Sequence, residues 1–579
     1  MPDTHPDTLR DAVDGARLMA HLERLARWVK LSGTGDELAS LRETQAVLDG
    51  FGYRTTMLMH DAYISLPGPA RVTADGTTLA AITHSFSRPS PAGGITGRLV
   101  DVGEGTESDF AGRDLRGAIV LATGIASPAV ARRASDAGAV AQLHASPHEH
   151  LHEMCISPVW GSPSAETLHD LPRTVAATIS AADGASLRAR LASGAAPEVV
   201  IEAAVDTGWR QTPILVADHD GPRADADAPF VLFSGHHDTW YFGVMDNGAA
   251  NATMLEAARI LAGSRASWRR GLRLCFWSGH SHGRYSGSTW YADAHWDELD
   301  RRCVAHVNVD STGGVGASVL RNAASSAELA ALAEAAIGTE TNGDYAGRRM
   351  SRSSDQSFNG IGLPAMLGAL SEQPPEATRG MRNALGWWWH TPHDLIDKID
   401  TANLVRDTRV FVSVLARLLC EPVLPIDHAA QMRPLLAELG RLRDDLGDRF
   451  DLAPLVREAE AVREAAIGLR ASAGDPDRIN LALMRASRAL VPVDAATGDR
   501  FGHDAALPLA SWPALQPLRD LAAAEAGSDA ARFLAVSAVR ARNRLGFALR
   551  QAAQGLAAQG LAAQGLATLG LAALGLAAL

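Results

Sequence analysis

The sequence predicts an α/β protein: a three-layer domain on a mixed sheet, with an inserted domain early in the chain and a helical domain after it. Three observations predict this. Between about 207 and 420, buried strand-like runs alternate with helical ones, as in "FVLFSGHHD", "NGAANATMLEAARILAG", "LRLCFWSG" and "RCVAHVNVDSTGG"; this alternation is the mark of a sheet covered by helices. From 59 to 206, short runs such as "GRLVDVG", "LRGAIVLATG" and "AVAQLHAS" are punctuated by Gly and Pro, which reads as a separate mixed unit. From 421 to 550 the chain is rich in Ala, Leu and Arg at helical spacing. A chain of 579 residues has room for two to four such domains.

Taken in order, residues 9 to 50 form two predicted helices. "LMAHLERLARWV" carries apolar residues three and four apart, "SGTGDE" makes a turn, and "LASLRETQAVLDGFGY" runs to a helix end near Gly50. Residues 1–58 then join 207–420 as one domain around the 59–206 insertion. The tail, 551–579, repeats Gly-Leu-Ala-Ala from Gly555 through Gly575. Five residues advance a helix by about 500°, so the leucines scatter around the axis, and each interior Gly costs about 1 kcal/mol relative to Ala. A low-complexity extension is expected there. Gln554, Gln559 and Gln564 interrupt it and argue against a membrane anchor.

Composition excludes some functions. With 54 basic and 66 acidic residues the net charge is −12, which argues against a nucleic-acid partner. Cys155, Cys275, Cys303 and Cys420 are widely spaced without a C-x-x-C pair, so neither a disulfide framework nor a thiolate zinc site is expected. "MPDTHPDTLRDAV" lacks a basic stretch followed by an apolar run, so the expected location is cytoplasmic, without membrane association.

The chemistry gathers at strand ends, where open α/β sheets bind ligands. "SGHHDTW" places His236, His237 and Asp238 past one strand, Asp246 follows in "FGVMDNGAAN", Asp310 ends "VNVD", and His390 lies in "WWWHTPHD". Imidazoles and carboxylates together suit zinc or another borderline divalent cation, and a carboxylate can bridge two.

These stretches, with "SSDQSFNGIGLPAM" and "FWSGHSHGRYSGSTWYAD", resemble the ordered motifs of the co-catalytic zinc aminopeptidase and glutamate carboxypeptidase family. The insertion, whose "DFAGRDLRGAIVL" resembles a protease-associated domain, and the helical C-terminal region make the chain most similar to the glutamate carboxypeptidase and transferrin receptor branch. The resemblance implies a metallopeptidase-like catalytic domain with zinc as cofactor. It makes His236 and Asp310 ligands of one metal, Asp246 the bridging carboxylate and His390 a ligand of the second. It makes Asp238 the carboxylate that orients His236, whereas His237 faces away. It also implies a homodimer formed through the helical region.

The pattern breaks at Gly279-His280-Ser281-His282-Gly283. The relatives have two adjacent glutamates here, a general base and a metal ligand, and the spacing from Trp277 to Gly287-Ser288 is one residue longer than theirs. Neutral imidazole can serve either role. The favoured assignment makes His280 the base and His282 the replacement ligand, with the reverse left open, as is a single-metal site built from His236, Asp246 and Asp310.

Two functions follow: a metal-dependent hydrolase of an amide or peptide-like bond in a small substrate, or an inactive relative that binds or assembles. Survival of four ligand-type residues favours the hydrolase. Trp240, Tyr241 and Trp389 are candidate walls for an apolar or planar substrate group. Arg352 near Asp355 offers a partner for a substrate carboxylate, so these five are the candidate substrate-binding residues.

Overall fold

A computed structural model describes residues 6–576 apart from 224, 351, 379–380, 382–383 and 498, with side chains described from 8 to 558. The predicted α/β fold is present. Four parallel strands form the centre of the large sheet, in the spatial order Ala365–Ala369, Cys303–Asp310, Phe230–His236 and Gly271–Trp277. Val199–His219 continues it antiparallel to Gly271–Trp277, and Arg54–Ala74 follows.

Helices cover both faces, so the middle strands are buried at every position. Alternation along one strand divides its side chains between two cores. Val231 and Phe233 join the helices Ala250–Gly263 and Thr401–Cys420, while Phe230 and Leu232 face Tyr291 and Phe358. All four parallel strands therefore end on one edge, with His236 beside Trp277 and Asp310 beside Ala369.

The expected N-terminal helices are Gly15–Leu25 and Gly35–Gly50, preceded by a short turn of helix at Pro6–Asp11. Asp14 caps one by accepting from the amides of Ala16 and Arg17, and Thr34 caps the other. The insertion has its own five-stranded sheet, in which Arg98–Asp101, Ala118–Thr123, Ala141–Ala145 and Val175–Ile179 are parallel. Its boundaries differ from a linker. Arg54–Ala74 and Val199–His219 run from the large sheet into the insertion, paired from Arg54 opposite Asp218 to Ala74 opposite Val199 with a register shift between Pro67 and Ala70.

The C-terminal helices His428–Leu446, Ala453–Ala471, Pro476–Ala495 and Asp529–Leu576 pack Leu435, Leu455, Leu490 and Leu545 into the same core as the sheet. The tail departs from expectation. The backbone of the last helix continues through the repeat to Leu576, because Ala, Leu and Gln are strong helix formers and one Gly in five does not outweigh them. Among the described residues no helix is long and apolar enough to cross a membrane.

Candidate metal centre

His236 closes its strand and is 1 % exposed. Its Nδ1 lies 2.8 Å from the main-chain carbonyl of Asp238. A carbonyl only accepts, so Nδ1 donates here and Nε2 is turned to the carboxylates of the site. That atom is 3.1 Å from Asp246 Oδ1 and 3.7 Å from Asp310 Oδ1. Asp246 reaches the other way as well, with Oδ2 2.9 Å from His390 Nε2. His390 Nδ1 is held at 2.7 Å by the Glu153 carbonyl, so it too is the Nδ1–H tautomer.

Of the two loop histidines, His280 obeys the same rule. His280 Nδ1 lies 2.7 Å from the Asp355 carboxylate, and its ring stacks on that of His236 at 3.7 Å. His282 Nδ1 lies 2.9 Å from Ser32 Oγ, which donates to Asp238 Oδ2 at 2.7 Å, and accepts from the Ser32 amide at 3.4 Å. His282 Nε2 is buried with no hydrogen-bond partner. Three imidazoles, those of His236, His280 and His390, are thus locked with Nδ1 donating to protein acceptors and Nε2 turned to the site. Such anchoring fixes tautomer and ring orientation in metal ligands.

Electrostatics set His236 apart from His282 and His390. Burial pushes the His236 pKa down, yet Asp246 and Asp310 overcome it and raise it well above the usual histidine range. Burial works against Asp246 ionisation, but His236 and His390 hold its pKa well below the carboxylate norm. Burial lowers His282 to about 4, against the pull of Asp238, and lowers His390. These two are neutral, as ligation requires. Ligand atoms of His236, His280 and Asp310 lie within 4.8 Å of one another, the one such trio among the described residues. The donor set, imidazole nitrogens and carboxylate oxygens around a bridging Asp246, fits borderline divalent cations.

Several sequence-predicted residues sit elsewhere than expected. The Asp238 carboxylate does not orient His236; its main-chain carbonyl does. The carboxylate accepts from the amides of His280 at 3.2 Å and Ser281 at 2.8 Å, because the chain turns back over it after the strand. It therefore shapes the Gly-His-Ser-His-Gly loop. Asp355 is fully buried between His280 and Ser288, whose hydroxyl donates to Oδ1 at 2.7 Å, so it orients His280 and has no free edge for substrate. Arg352 stacks on Trp160 and donates to the carbonyls of Asp504 and Ala505, which occupies its guanidinium. Tyr241 turns its hydroxyl to the buried Glu153 and is outside the cavity.

Trp240 and Trp389 do line that cavity, of about 550 Å³, with Asp246, His280, Ser281, Asp310 and His390. Trp389 stacks on His390 at 3.4 Å. His237 faces away, bound to Asn251 and Ser40.

Three contributors were missed. Asp394 accepts from the amides of Met245 and Asp246 at 2.9 and 3.0 Å, pinning the Asp246 loop; it was visible as the Asp of "HTPHD". Ser354 donates to Asp310. Arg284 lines the cavity with a buried Nε that has no hydrogen-bond partner; only its position in the odd loop could have flagged it.

Residues 215–415 match peptidase family M28, and residues 552–579 match six copies of the GLTT repeat. A protein of Zea mays named "Probable glutamate carboxypeptidase VP8" is 27% identical over 366 residues, 52% of this chain and 51% of that one. "Probable glutamate carboxypeptidase LAMP1" of Arabidopsis thaliana is 25% identical over 255 residues, 41% and 37% of the two chains. The chain spans about half, or less, of the length of these curated relatives. An aminopeptidase from Aneurinibacillus sp. strain AM-1 superposes with a TM-score of 0.54 at 20% identity, covering 72% of this chain and 96% of that one. A peptidase M28 precursor from Shewanella amazonensis gives 0.55 at 18%, covering 71% and 95%. The solved structures share the fold, and the expected kinship holds for the segment 215–415.

Proposed function

From a peptidase family M28 segment whose strand ends carry this cluster, we infer that the protein is a metal-dependent hydrolase of an amide or peptide-like bond in a small substrate. The observation that carries the reading is the common anchoring of His236, His280 and His390, each donating through Nδ1 to a protein acceptor. His236, Asp246 and Asp310 would hold one ion, most suitably zinc. Asp246 and His390, with His282 in place of the missing glutamate, would hold a second. When bound, such a cation polarises the scissile carbonyl and makes water more acidic.

The chain supplies the rest. His280 Nε2 accepts the proton of the attacking water, and Asp355 at Nδ1 steadies the imidazolium so formed, the division of labour of a base and its orienting carboxylate. Trp240 and Trp389 wall the substrate. Arg284 suits a substrate carboxylate, in keeping with the glutamate carboxypeptidase names of the relatives. The insertion, in its protease-associated role, closes one side of the cavity through Met154 and Cys155, and the C-terminal helices form a homodimer.

The reading is tested by assaying short peptides, with and without a carboxylate next to the scissile bond, before and after chelation. Hydrolysis that chelation abolishes and zinc restores is expected. A zinc-loaded protein that binds such peptides without cleaving them favours the inactive relative, to which the absence of glutamate from the loop otherwise points. A monomeric mass at micromolar concentration counts against the dimer.

A further inference from the structure

The proposed mechanism gives no role to Ser281, yet the residue lines the cavity. It is 2 % exposed, and its Oγ is buried without a hydrogen-bond partner. It lines the cavity together with His280, Asp246, Asp310 and His390. A buried hydroxyl left unsatisfied costs stability, and folded chains keep few of them. Where one lines the same cavity as a cluster of ligand-type residues, a substrate is its natural partner.

The backbone that carries the hydroxyl is held in place. Its own amide donates to Asp238 Oδ2, and the preceding amide of His280 donates to Oδ1 of the same carboxylate. Ser32 fixes that carboxylate from a third side. One buried anion therefore sets the positions of His280 and Ser281 together. The resemblance places an acidic residue in this loop; a carboxylate only accepts hydrogen bonds, whereas a serine can donate one.

We propose that Ser281 is a catalytic hydrogen-bond donor, its Oγ–H directed to the substrate oxygen that becomes negative as water attacks the carbonyl carbon. This rests on the hydrolase reading above. No proton is transferred and no bond to Ser281 forms: His280 takes the proton from water, and Ser281 stabilises the charge that appears on the former carbonyl oxygen. A donor positioned in advance, in a site shielded from solvent, acts on the transition state more than on the bound substrate.

The test is Ser281→Ala in the zinc-loaded full chain, assayed on the peptide that the wild type cleaves best. We expect kcat to fall roughly 10- to 10³-fold, the range for loss of one such donor, with KM and metal content unchanged. Thermal stability should be equal or higher, since the unsatisfied hydroxyl is gone. A phosphinic analogue of that peptide, which presents tetrahedral oxygens, should lose affinity for the variant by a similar factor. Ser281→Thr, which keeps the hydroxyl, should recover part of the rate. Full kcat in Ser281→Ala overturns the proposal, as does a loss of rate matched by loss of metal, because the residue would then act on the ions. A wild type that cleaves no peptide overturns the hydrolase reading and this one together, whereas an active wild type with an equally active Ser281→Ala overturns this one alone.

Discussion

The two halves of the site are built differently around Asp246. On one side, His236 and Asp310 are the last residues of adjacent parallel strands, and main chain within the sheet sets their spacing. On the other, His390 lies in a loop, with its Nδ1 held by the Glu153 carbonyl and its own carbonyl accepting from the Glu153 amide at 3.0 Å. The second half thus depends on the insertion, some 240 residues away in sequence. A strand end is rigid by construction, whereas the loop half is only as firm as the contact between two regions of the chain.

The largest expected effect removes what the halves share. Asp246→Ala should abolish turnover and empty both positions, as elemental analysis would read. The comparison becomes sharper one step out: Asp310→Ala should remove metal and activity together, while His390→Ala should keep part of the metal. Equal loss from both would mean that the halves act as one coupled site and that their different construction has no consequence.

Next in size is the histidine pair. His280→Ala should keep its metal and lose about 10²- to 10⁴-fold in rate, the usual general-base contribution. His282→Ala should lose metal on the His390 side, with activity partly restored by excess zinc. Matching metal loss in both variants would make His280 a ligand as well, as its closeness to His236 and Asp310 allows.

A smaller effect tests how the bridge is held. Asp394→Asn leaves an acceptor oxygen for one of the two loop amides but not both. Metal affinity should fall about 10- to 100-fold, the usual size for a residue that orients a ligand, and His390→Ala should not add to the loss of the second ion. Unchanged affinity would show that the Asp246 loop is held by its other contacts.

The strand-end half was legible in the sequence because strand periodicity and a polar residue after an apolar run carry their own geometry. Local pattern placed His236, His237 and Asp238 after "FVLFSG" and Asp310 at the end of "VNVD", and the family resemblance singled out His236 and Asp310 among them. The helices were legible for the same reason. What pattern did not carry was which atom of a residue does the work. Asp238 orients His236 with its carbonyl and the loop with its carboxylate, a division that depends on a turn. Arg352 and Asp355 were legible as charged neighbours, but their partners at Trp160, Asp504 and His280 come from distant segments. His390 and Asp355 also hold positive φ angles of 58° and 61°, uncommon for residues other than glycine. Conformations of this kind are imposed by tertiary contacts and leave no trace in spacing.

The smallest expected effect is pH dependence, and it bears on the weaker half. His84 is fully buried in the insertion; its Nδ1 accepts from the Met154 amide at 3.2 Å, next to Glu153, and its Nε2 meets Thr178 Oγ at 2.7 Å. Burial lowers its pKa from 6.5 to about 3, and likewise lowers that of His60 to about 4. The folded chain keeps both neutral while the unfolded chain protonates them near pH 6.5. The unfolded state therefore binds more protons between about pH 6.5 and 4, and stability is lost progressively as pH falls through that window. Proteolysis or hydrogen exchange at pH 7.5 and 5 should show the segment around Met154 opening first, with the His390-side ion released before the His236-side ion. His84→Gln keeps an acceptor and a donor without a titrating group, and should flatten this response. If both ions leave together in acid and the variant behaves as wild type, the insertion does not limit the loop half of the site.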